Sequence, residues 1–536
     1  MKKTFLLAVI TILLKQAFAG SGEVITYTTT PGAVKSETYS LTVNGKTIFV
    51  EKFKDVSYAR FAFSGDIDLQ VSVSQNFSKY TISPVSYTIP STKEGNTISF
   101  HLNRSRKLIF QLEGVEEKLF VFADAPEENV PRLGNKNVIN LLDFVKDNTG
   151  NELQTTQLQK AIDKASETKS ILFVPNGKYL TGTFVIRKNV TLYLESGALI
   201  QGSGSLKDYN DNGDNKSGKI TYEKGALIYF DKADNAKIMG RGVIAMQGTK
   251  IKAETGVKIR TCNLRECKNA GIYDVVLRDA GGFNIHILHS SGIMMKGYKI
   301  INDLSLPNQD GTDPDGCNGV TVDDVFMYTS DDAIAVKADY RLCENVLVKN
   351  CVFWTVKSAL KVGSDPYFDA RNIVFENNDV VHADRALALY AGKGNIENVK
   401  FIDNRSEFVG GNTKRQLIVF QITSSKEDEQ DPAHRGIGSI KGVQVINYTA
   451  YQQSQNKSVV SGTLSKEGKI FKISDVTFKN LVIAGKQCRS AEEAGIVLSP
   501  KALPVDPNVE PDDIAKHRKT MPDGKSFVTV ENIRFE

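Results

Sequence analysis

Residue types that usually build metal and redox centres are scarce in this sequence. Its 536 residues include six histidines, six cysteines and one tryptophan, and no two cysteines form a CxxC pair. No histidine lies at the spacing of a zinc ligand, so we expect neither a zinc site nor a requirement for another metal or cofactor. Cys262 and Cys267 are the cysteines closest in sequence. In an exported protein they could pair as a disulfide, and the alternative is that the cysteines are buried free thiols.

The sequence also lacks a strong excess of either charge. Its 67 lysines and arginines face 62 aspartates and glutamates, for a formal net charge of +5. Such a weak balance does not favour binding to nucleic acid or to a membrane surface. We therefore expect neither as a partner.

Long apolar runs are missing except near the start of the chain. Phe5–Leu14 is apolar, follows Lys2 and Lys3, and precedes the small-x-small sequence Ala17-Phe18-Ala19. This pattern is typical of a cleavable secretory signal, and the run is too short to span a membrane. We expect residues 1–19 to be a signal peptide and the mature protein to be secreted or periplasmic.

What the sequence does contain is a series of β-branched, alternating runs over residues 20–130. Asn44-Gly45 lies between two such runs in Tyr39–Phe53, which is a strong signal for a β-hairpin. We predict an antiparallel β-sandwich here, without visible catalytic residues. Pro126 and Pro131 mark a linker to a second domain, residues 131–536.

The second domain opens with one helical pattern and continues with short strands. Asn148–Thr168 has apolar residues at helical spacing, which predicts a helix that caps the first coil of a repeat. Further along, Glu427–Asp431 is predicted to be a mobile loop at the rim of a cleft, and Ala502–Asp523, with four prolines, an extended loop.

A repeat becomes explicit in the middle of this domain. Val320–Val336, Val346–Val362 and Ile373–Leu389 align as copies with offsets of 26 and 27 residues. A period of this length in strand-only sequence indicates one coil per repeat, since a single coil cannot bury its inner face alone. The fold class that we predict is therefore all-β: a right-handed parallel β-helix preceded by the β-sandwich.

The candidate site is an acidic stretch within this repeat, Asn308–Asp332. It contains Asp310-Gly311 and ends on the pair Asp331-Asp332. Adjacent carboxylates disfavour each other's ionisation, so a pair beside a third carboxylate suggests acid/base chemistry. A solvated turn or a calcium loop is the alternative. Asp331 and Asp332 can share one cleft only if the chain bends between Ser330 and Ala333.

The repeat register places cations beside these carboxylates. Asp331 falls in register with Lys357, and Asp332 with Ser358 and then Arg385. We predict four cations as substrate-binding residues because they surround the acidic stretch: Lys337, Lys357, Lys361 and Arg385. Tyr367, which follows the turn at residues 363–366, is predicted to contact a sugar.

These motifs resemble those of known polysaccharide hydrolases. Asn308-x-Asp310-Gly311 with Asp331-Asp332 placed 21 residues after Asp310 is similar to the polygalacturonase family, whose members are inverting enzymes with right-handed parallel β-helices. The run from Asp323 to His382, with the preceding sandwich, resembles more closely the dextranase and isopullulanase family, glycoside hydrolase family 49.

The resemblance implies roles for the three aspartates. Asp331 is implied as the general acid, while Asp310 and Asp332 hold the water as base and helper. Asp313 and Asp315 are alternatives for the first carboxylate.

The sequence also departs from the polygalacturonase pattern. Lys357-Ser358-Ala359 stands in place of Gly-His-Gly, and Leu387 in place of the lysine of an Arg-x-Lys element that begins at Arg385. Hydrolysis of an α-glucan such as dextran or pullulan is therefore the main functional prediction. Hydrolysis of an acidic or sulfated polysaccharide, a polysaccharide lyase activity and a non-catalytic carbohydrate-binding solenoid are the alternatives.

Overall fold

A computed structural model describes residues 21–209, 223–363, 366–423, 436–464, 469–498 and 528–536. The signal peptide predicted at residues 1–19 and the loops predicted at Glu427–Asp431 and Ala502–Asp523 lie outside the described residues. No helix of the described part is long and apolar enough to cross a membrane.

The described chain forms two compact units. The first contains residues 21–26, 35–80 and 88–126, and the second contains residues 27–34, 81–87 and those from 127 onwards. Two short segments inside the range predicted for the sandwich therefore belong to the second unit, which no local sequence pattern indicated.

Two β-sheets build the N-terminal sandwich. In the first, the strand order is Val34–Lys35, Val50–Phe53, Val56–Ser64, Val115–Asp124, Arg106–Leu112 and Tyr80–Ser83, with Glu23–Thr26 also paired to Val56–Ser64. In the second, it is Lys46–Ile48, Tyr39–Val43, Ile67–Val73, Thr97–Leu102 and Ser91–Glu94.

The predicted hairpin at Asn44-Gly45 is confirmed. Leu41 pairs with Ile48 and Val43 with Lys46 across the turn, and both turn residues have positive φ angles, 47° and 77°. That is the geometry that a two-residue hairpin of type I′ requires. Most neighbouring strands of the sandwich pair antiparallel, and Val56–Ser64 pairs in parallel with Val115–Asp124.

The second unit is the predicted right-handed parallel β-helix. Its strands form three long sheets, named here sheets I, II and III, and each coil between the first and the last contributes one strand to each sheet, while Lys486–Cys488 is an additional antiparallel strand of sheet II. Sheet I contains Val138–Asn140, Ile171–Val174, Thr191–Leu194, Lys237–Gly240, Gly271–Tyr273, Ser291–Lys296, Asn318–Asp323, Cys343–Lys349, Ala370–Glu376, Ile396–Ile402, Ile440–Ile446, Ile473–Lys479 and Val530–Phe535.

Sheets II and III follow the same order along the chain. Sheet II contains Thr149–Leu153, Gly177–Thr181, Ala198–Gly202, Val243–Ala245, Val276–Arg278, Lys299–Ile301, Phe326–Thr329, Val352–Thr355, Asp379–Ala383, Arg405–Val409, Thr449–Ala450, Leu481–Ile483 and Lys486–Cys488. Sheet III contains Phe184–Ile186, Glu223–Asp231, Lys258–Arg265, Ile285–Leu288, Thr312–Asp315, Ile334–Val336, Ser358–Val362, Arg385–Ala391, Gln416–Ile422, Ser458–Ser461 and Ile496–Leu498. A separate hairpin pairs Thr463–Leu464 with Ile470–Phe471.

The repeat register predicted from the sequence is confirmed. In sheet I, Val322 pairs with Val348 and Val348 with Phe375. In sheet III, Ile334 pairs with Leu360 and Leu360 with Leu387. These residues are fully buried, so like apolar side chains stack along the inside of the coils.

The helices differ from the prediction. The capping helix is Thr155–Thr168 and begins seven residues later than predicted, because Thr149–Leu153 instead pairs as the first strand of sheet II. A second helix, Gly248–Thr255, was not predicted, since its sequence buries a single large apolar side chain, Ile251. The 3₁₀ turns are Val85–Tyr87, Leu141–Asp143 and Leu206–Asp208.

The six cysteines are buried free thiols. Cys262 lies in the inner column of sheet III and packs into the core. Cys267 donates from Sγ to the carbonyl oxygen of Phe230 at 3.3 Å. Of the two alternatives, the free thiols are therefore observed.

Candidate active site

The three predicted catalytic aspartates meet where sheet II turns into sheet III. Asp331 and Asp332 follow the strand Phe326–Thr329 and precede Ile334–Val336, and Asp310 lies on the preceding coil. One oxygen from each carboxylate lies within 4.8 Å of the others. The break between the two strands supplies the bend that a shared cleft requires.

Gly311 allows the two coils to approach closely at this point. Its N–H donates to the carbonyl oxygen of Asp332 at 2.9 Å. A Cβ atom at this position would clash with the carbonyl oxygen of Ala333 and with Sδ of Met327. Glycine therefore follows Asp310 because a side chain there would push the first carboxylate away from the pair.

Asp332 carries the negative charge of the group. Lys361 donates to Oδ2 at 2.6 Å, and the Ser358 N–H donates to Oδ1 at 2.8 Å. Burial alone would raise the pKa of Asp332, but Lys361 and Arg385, together with these hydrogen bonds, hold the pKa far below its usual value. Asp332 is therefore ionised at neutral pH.

The pKa of Asp331 is shifted in the opposite direction, upward. Burial and the neighbouring charge of Asp332 raise its pKa, with Lys361 and Lys357 acting in the other direction. Its two oxygens accept from the backbone N–H groups of Asp332, at 2.9 Å, and Asn308, at 3.3 Å. A raised pKa is the direction that a general acid requires, because it must carry a proton to donate.

Asp310 is 4 % exposed, and its pKa is also raised well above the usual value, by burial first and then by Asp331. Lys337 Nζ lies 4.0 Å from Oδ2. Within the described part of the chain, Oδ1 has no hydrogen-bond partner. The site thus combines one carboxyl whose pKa is lowered, Asp332, with two whose pKa is raised, Asp310 and Asp331.

The alternatives for the first carboxylate lie farther along the same strand. Asp313 is fully buried beside His286 in sheet III, and burial raises its pKa to about 7. Asp315 accepts from the Asp339 N–H at 2.9 Å and lies 3.4 Å from His286 Nε2. Asp310, rather than either of them, joins the compact group of three carboxylates.

The predicted substrate-binding cations separate into two pairs. Lys361 and Lys337 face Asp332 and Asp310, as described above. Lys357 is half-buried and its charge acts on Asp331, yet its ammonium has no ion pair or hydrogen bond among the described residues. Arg385 is 7 % exposed, and its nearest carboxylate contact is Nε to Asp384 Oδ2 at 3.7 Å. Lys357 and Arg385 therefore make no ion pair with the three aspartates, and of these two only Lys357 has no carboxylate partner among the described residues.

Tyr367, the predicted sugar contact, and Leu387 lie outside the group of three carboxylates. Tyr367 packs against Lys393, whose Nζ lies 4.7 Å from the ring centroid, and is not part of the carboxylate group. Leu387, which the alignment placed at a lysine position, lies in the core column beside Leu360. The residue in register with Lys361 is Ala388.

Two residues near the carboxylates carried no recognisable signal in the sequence. Lys252, on the unpredicted helix, donates to the carbonyl oxygen of Pro307, and its charge interacts with that of Asp331. Gln309 lies inside the predicted motif, but its side-chain bonds depend on contacts between coils. Only the contacts in the folded structure show that Lys252 and Gln309 lie near the carboxylates.

Three carboxylate oxygens in a group could hold a hard divalent cation such as Ca²⁺. Here the ammonium of Lys361 already contacts Asp332, and that of Lys337 faces Asp310. Their positive charges compete with a metal ion for the same oxygens. The arrangement is therefore better suited to proton transfer than to metal binding.

Comparison with known proteins identifies relatives of the β-helix. Residues 165–494 match the family described as glycosyl hydrolases family 28. A probable polygalacturonase of Vitis vinifera is 25% identical over 58% of this chain and 67% of its own length. An exo-poly-alpha-D-galacturonosidase of Dickeya chrysanthemi is 24% identical over 53% of this chain, and the match spans 57% of that relative.

The fold is also similar to that of Dex49A from Penicillium minioluteum. The TM-score is 0.60 and the identity 14%, over 87% of this chain and 92% of that one. At this identity the likeness is one of fold alone. The closer resemblance to family 49 expected from the sequence is therefore not supported by the sequence relatives, which are polygalacturonases.

Proposed function

The chain belongs to glycosyl hydrolases family 28 and is thus a glycoside hydrolase, and from this premise we propose that it cleaves an acidic polysaccharide of the galacturonan type. The α-glucan reading loses its main support, because the relatives are named for galacturonan cleavage. The observation that carries the proposal is Lys357, whose charge acts on Asp331 and whose ammonium has no ion pair among the described residues, with Arg385 near enough for its charge to interact with Asp331 as well. Such groups bind the carboxylate of a uronic acid.

In the proposed reaction, Asp331 donates its proton to the glycosidic oxygen as the bond from that oxygen to the anomeric carbon breaks. A water molecule attacks the anomeric carbon from the opposite face, and Asp332 accepts the proton that the water loses. Asp310 hydrogen-bonds to the same water. Each turnover leaves Asp331 ionised and Asp332 protonated, and exchange with solvent restores both.

We propose that the reaction needs no metal ion, because lysine ammonium groups already lie beside Asp310 and Asp332, where they would repel a cation. A lyase that uses calcium would lose activity in a chelator. It would also release an unsaturated product that absorbs in the ultraviolet. Unchanged activity in EDTA, with no such absorbance, supports hydrolysis.

Asp331→Asn tests the assignment of the general acid. The substitution preserves shape but removes the proton donor, so kcat on polygalacturonate should fall about 10²- to 10⁴-fold. Asp323→Asn is the control, since Asp323 bonds Asn350 on sheet I, away from the site. Folding is checked by circular dichroism and thermal melting. Full activity in folded Asp331→Asn would contradict the assignment.

A substrate panel tests the proposed substrate class separately. Polygalacturonate, methyl-esterified pectin, dextran and pullulan are compared by release of reducing ends. We expect turnover of polygalacturonate and reduced turnover of the esterified polymer, whose uronates are neutral. Cleavage of dextran or pullulan without cleavage of polygalacturonate would make the acidic-substrate proposal wrong and leave the enzyme class intact.

We also propose that the protein acts outside the cytoplasm, on the basis of the signal-like pattern in residues 1–19. Edman sequencing of the protein recovered from the periplasm or the medium tests this. A mature terminus at Gly20 is expected, and recovery of the uncleaved chain in the cytoplasm would contradict it.

A further inference from the structure

Gln309, the residue before Asp310, is fully buried and uses both ends of its side-chain amide. Nε2 donates to the carbonyl oxygen of Ala280 at 2.6 Å, and Oε1 accepts from Ser330 Oγ at 3.0 Å. Ala280 lies on the preceding coil, while Ser330 lies on the following coil and directly precedes Asp331. One amide therefore connects three successive coils at the position of the carboxylates.

Hydrogen bonds of the Asn302 side chain also fix the backbone around Gln309. Asn302 Nδ2 donates to the carbonyl oxygen of Gln309 at 3.3 Å, and Asn302 Oδ1 accepts from the Ala280 N–H at 3.4 Å. Asn302 is itself fully buried, and its own N–H donates to the carbonyl oxygen of Tyr328 at 3.0 Å. Ala280 is thus bound through its N–H and its carbonyl oxygen.

The segment with Asp331 is fixed from the other side. The hydroxyls of Thr329 and Thr355 both donate to the carbonyl oxygen of Asp331, at 2.8 and 2.5 Å. Both threonines are fully buried. A buried polar network whose members are all bonded is stiff, because breaking any bond leaves a polar group unsatisfied. Two hydrogen bonds that involve side chains connect the two carboxylate-bearing segments: the Asn308 N–H donates to Asp331 Oδ2 at 3.3 Å, and the Gln309–Ser330 bond joins two side chains.

We infer that Gln309 is a positioning residue that sets the separation between Asp310 and the Asp331–Asp332 pair. The role rests on the proposed function of these carboxylates and adds a residue that touches neither substrate nor water. Displacement of a reacting group by about 1 Å can reduce the rate 10²-fold, so a link that fixes the separation matters for turnover.

Gln309→Met tests the role, because methionine keeps the volume and removes both hydrogen bonds. We expect kcat to fall about 10- to 100-fold while KM changes less than about two-fold, since substrate contacts are retained. The optimum of the pH profile should also move, because the mutual repulsion of the carboxylates depends on their separation. Ser330→Ala removes one of the two bonds and should give a smaller change in the same direction.

Asn378→Ala is the matched control. Asn378 is also fully buried, and its Nδ2 bonds the carbonyl oxygen of Val348 and Oδ1 of Asn404, away from the carboxylates. Its loss should lower the melting temperature and leave kcat per folded molecule and the pH profile unchanged.

Crystal structures of the wild type and of Gln309→Met supply a readout that needs no activity. The inference predicts that the oxygens of Asp310 and the pair, which lie within 4.8 Å of one another in the wild type, move apart by about 1 Å. An unchanged separation, or a Gln309→Met variant that melts earlier but keeps kcat and the pH profile, would overturn it. A wild type that turns over no glycan would contradict the proposed function instead, and the separation would still decide the role of Gln309.

Discussion

Lys361 lowers the pKa of one of the three carboxylates, Asp332. Its ammonium lies 2.6 Å from Asp332 and is the largest influence that lowers the pKa of that group against burial. The charge kept on Asp332 then raises the pKa of Asp331. One lysine therefore helps to shift the pKa values of two adjacent aspartates in opposite directions, which is what an acid/base pair requires.

Lys361→Met should move the acid limb of the pH profile of kcat/KM to higher pH. Without the cation, the pKa of Asp332 rises, and because the base must be ionised, activity is lost at a higher pH than in the wild type. An opposite charge in contact lowers a carboxyl pKa by about 1 to 3 units, so a shift of that order is expected.

Lys349→Met is the control for this shift, since Lys349 lies 4.0 Å from Asp323 on sheet I. It should leave the profile in place. An acid limb that does not move in Lys361→Met would show that Asp332 is not the base.

At the scale of elements, the helix Thr155–Thr168 covers the open edge of sheet III. Gln159 accepts from the Val185 N–H at 2.8 Å and donates to the Val185 carbonyl oxygen at 3.0 Å. Val185 belongs to Phe184–Ile186, the first strand of that sheet. A side-chain amide thus replaces the ladder bonds of a missing strand, which protects the edge from pairing with another chain.

Gln159→Met should destabilise the β-helix without changing its activity. The N–H and carbonyl groups of Val185 would lose their partners, at a cost of about 1 to 3 kcal/mol. Thermal melting measures the loss, and Lys160→Met, at an exposed position on the same helix, is the control. Equal melting temperatures for the two variants would contradict an edge-capping role.

The sequence predicted the elements whose residues repeat. The coil register followed from inward apolar positions such as Val322, Val348 and Phe375, because stacked coils require like residues in one column. The hairpin at Asn44-Gly45 followed from turn chemistry that only a few residues permit.

The rest of the fold depended on contacts between coils, which local patterns do not contain. Leu153 fits a helical spacing, yet it pairs with Leu180 as part of a strand. The partners of Gln309 lie about 20 to 30 residues away in the chain. Lys357, which has no ion pair among the described residues, could be distinguished from the paired cations Lys337, Lys361 and Arg385 only by distances.

At the scale of the whole molecule, the β-helix brings together carboxylates that are 21 residues apart by placing them on adjacent coils. Membership of family 28 makes this group the candidate centre of a glycoside hydrolase. The nearest carboxylate oxygens lie within 4.8 Å, which is closer than the roughly 6.5 to 9.5 Å between carboxyl groups in most inverting glycosidases. The anomeric configuration of the product therefore has to be measured to show whether this group of carboxylates inverts or retains it.

We propose that the protein hydrolyses its substrate in a single step with inversion, with Asp331 as acid and Asp332 as base. Proton NMR of the first products from an α-linked oligogalacturonate, recorded before mutarotation, tests it most directly. Inversion at an α-linked substrate gives the β anomer at the new reducing end, and this is the expected product. An α anomer would indicate a covalent intermediate and retention, and an unsaturated product would indicate elimination; either result would contradict the account.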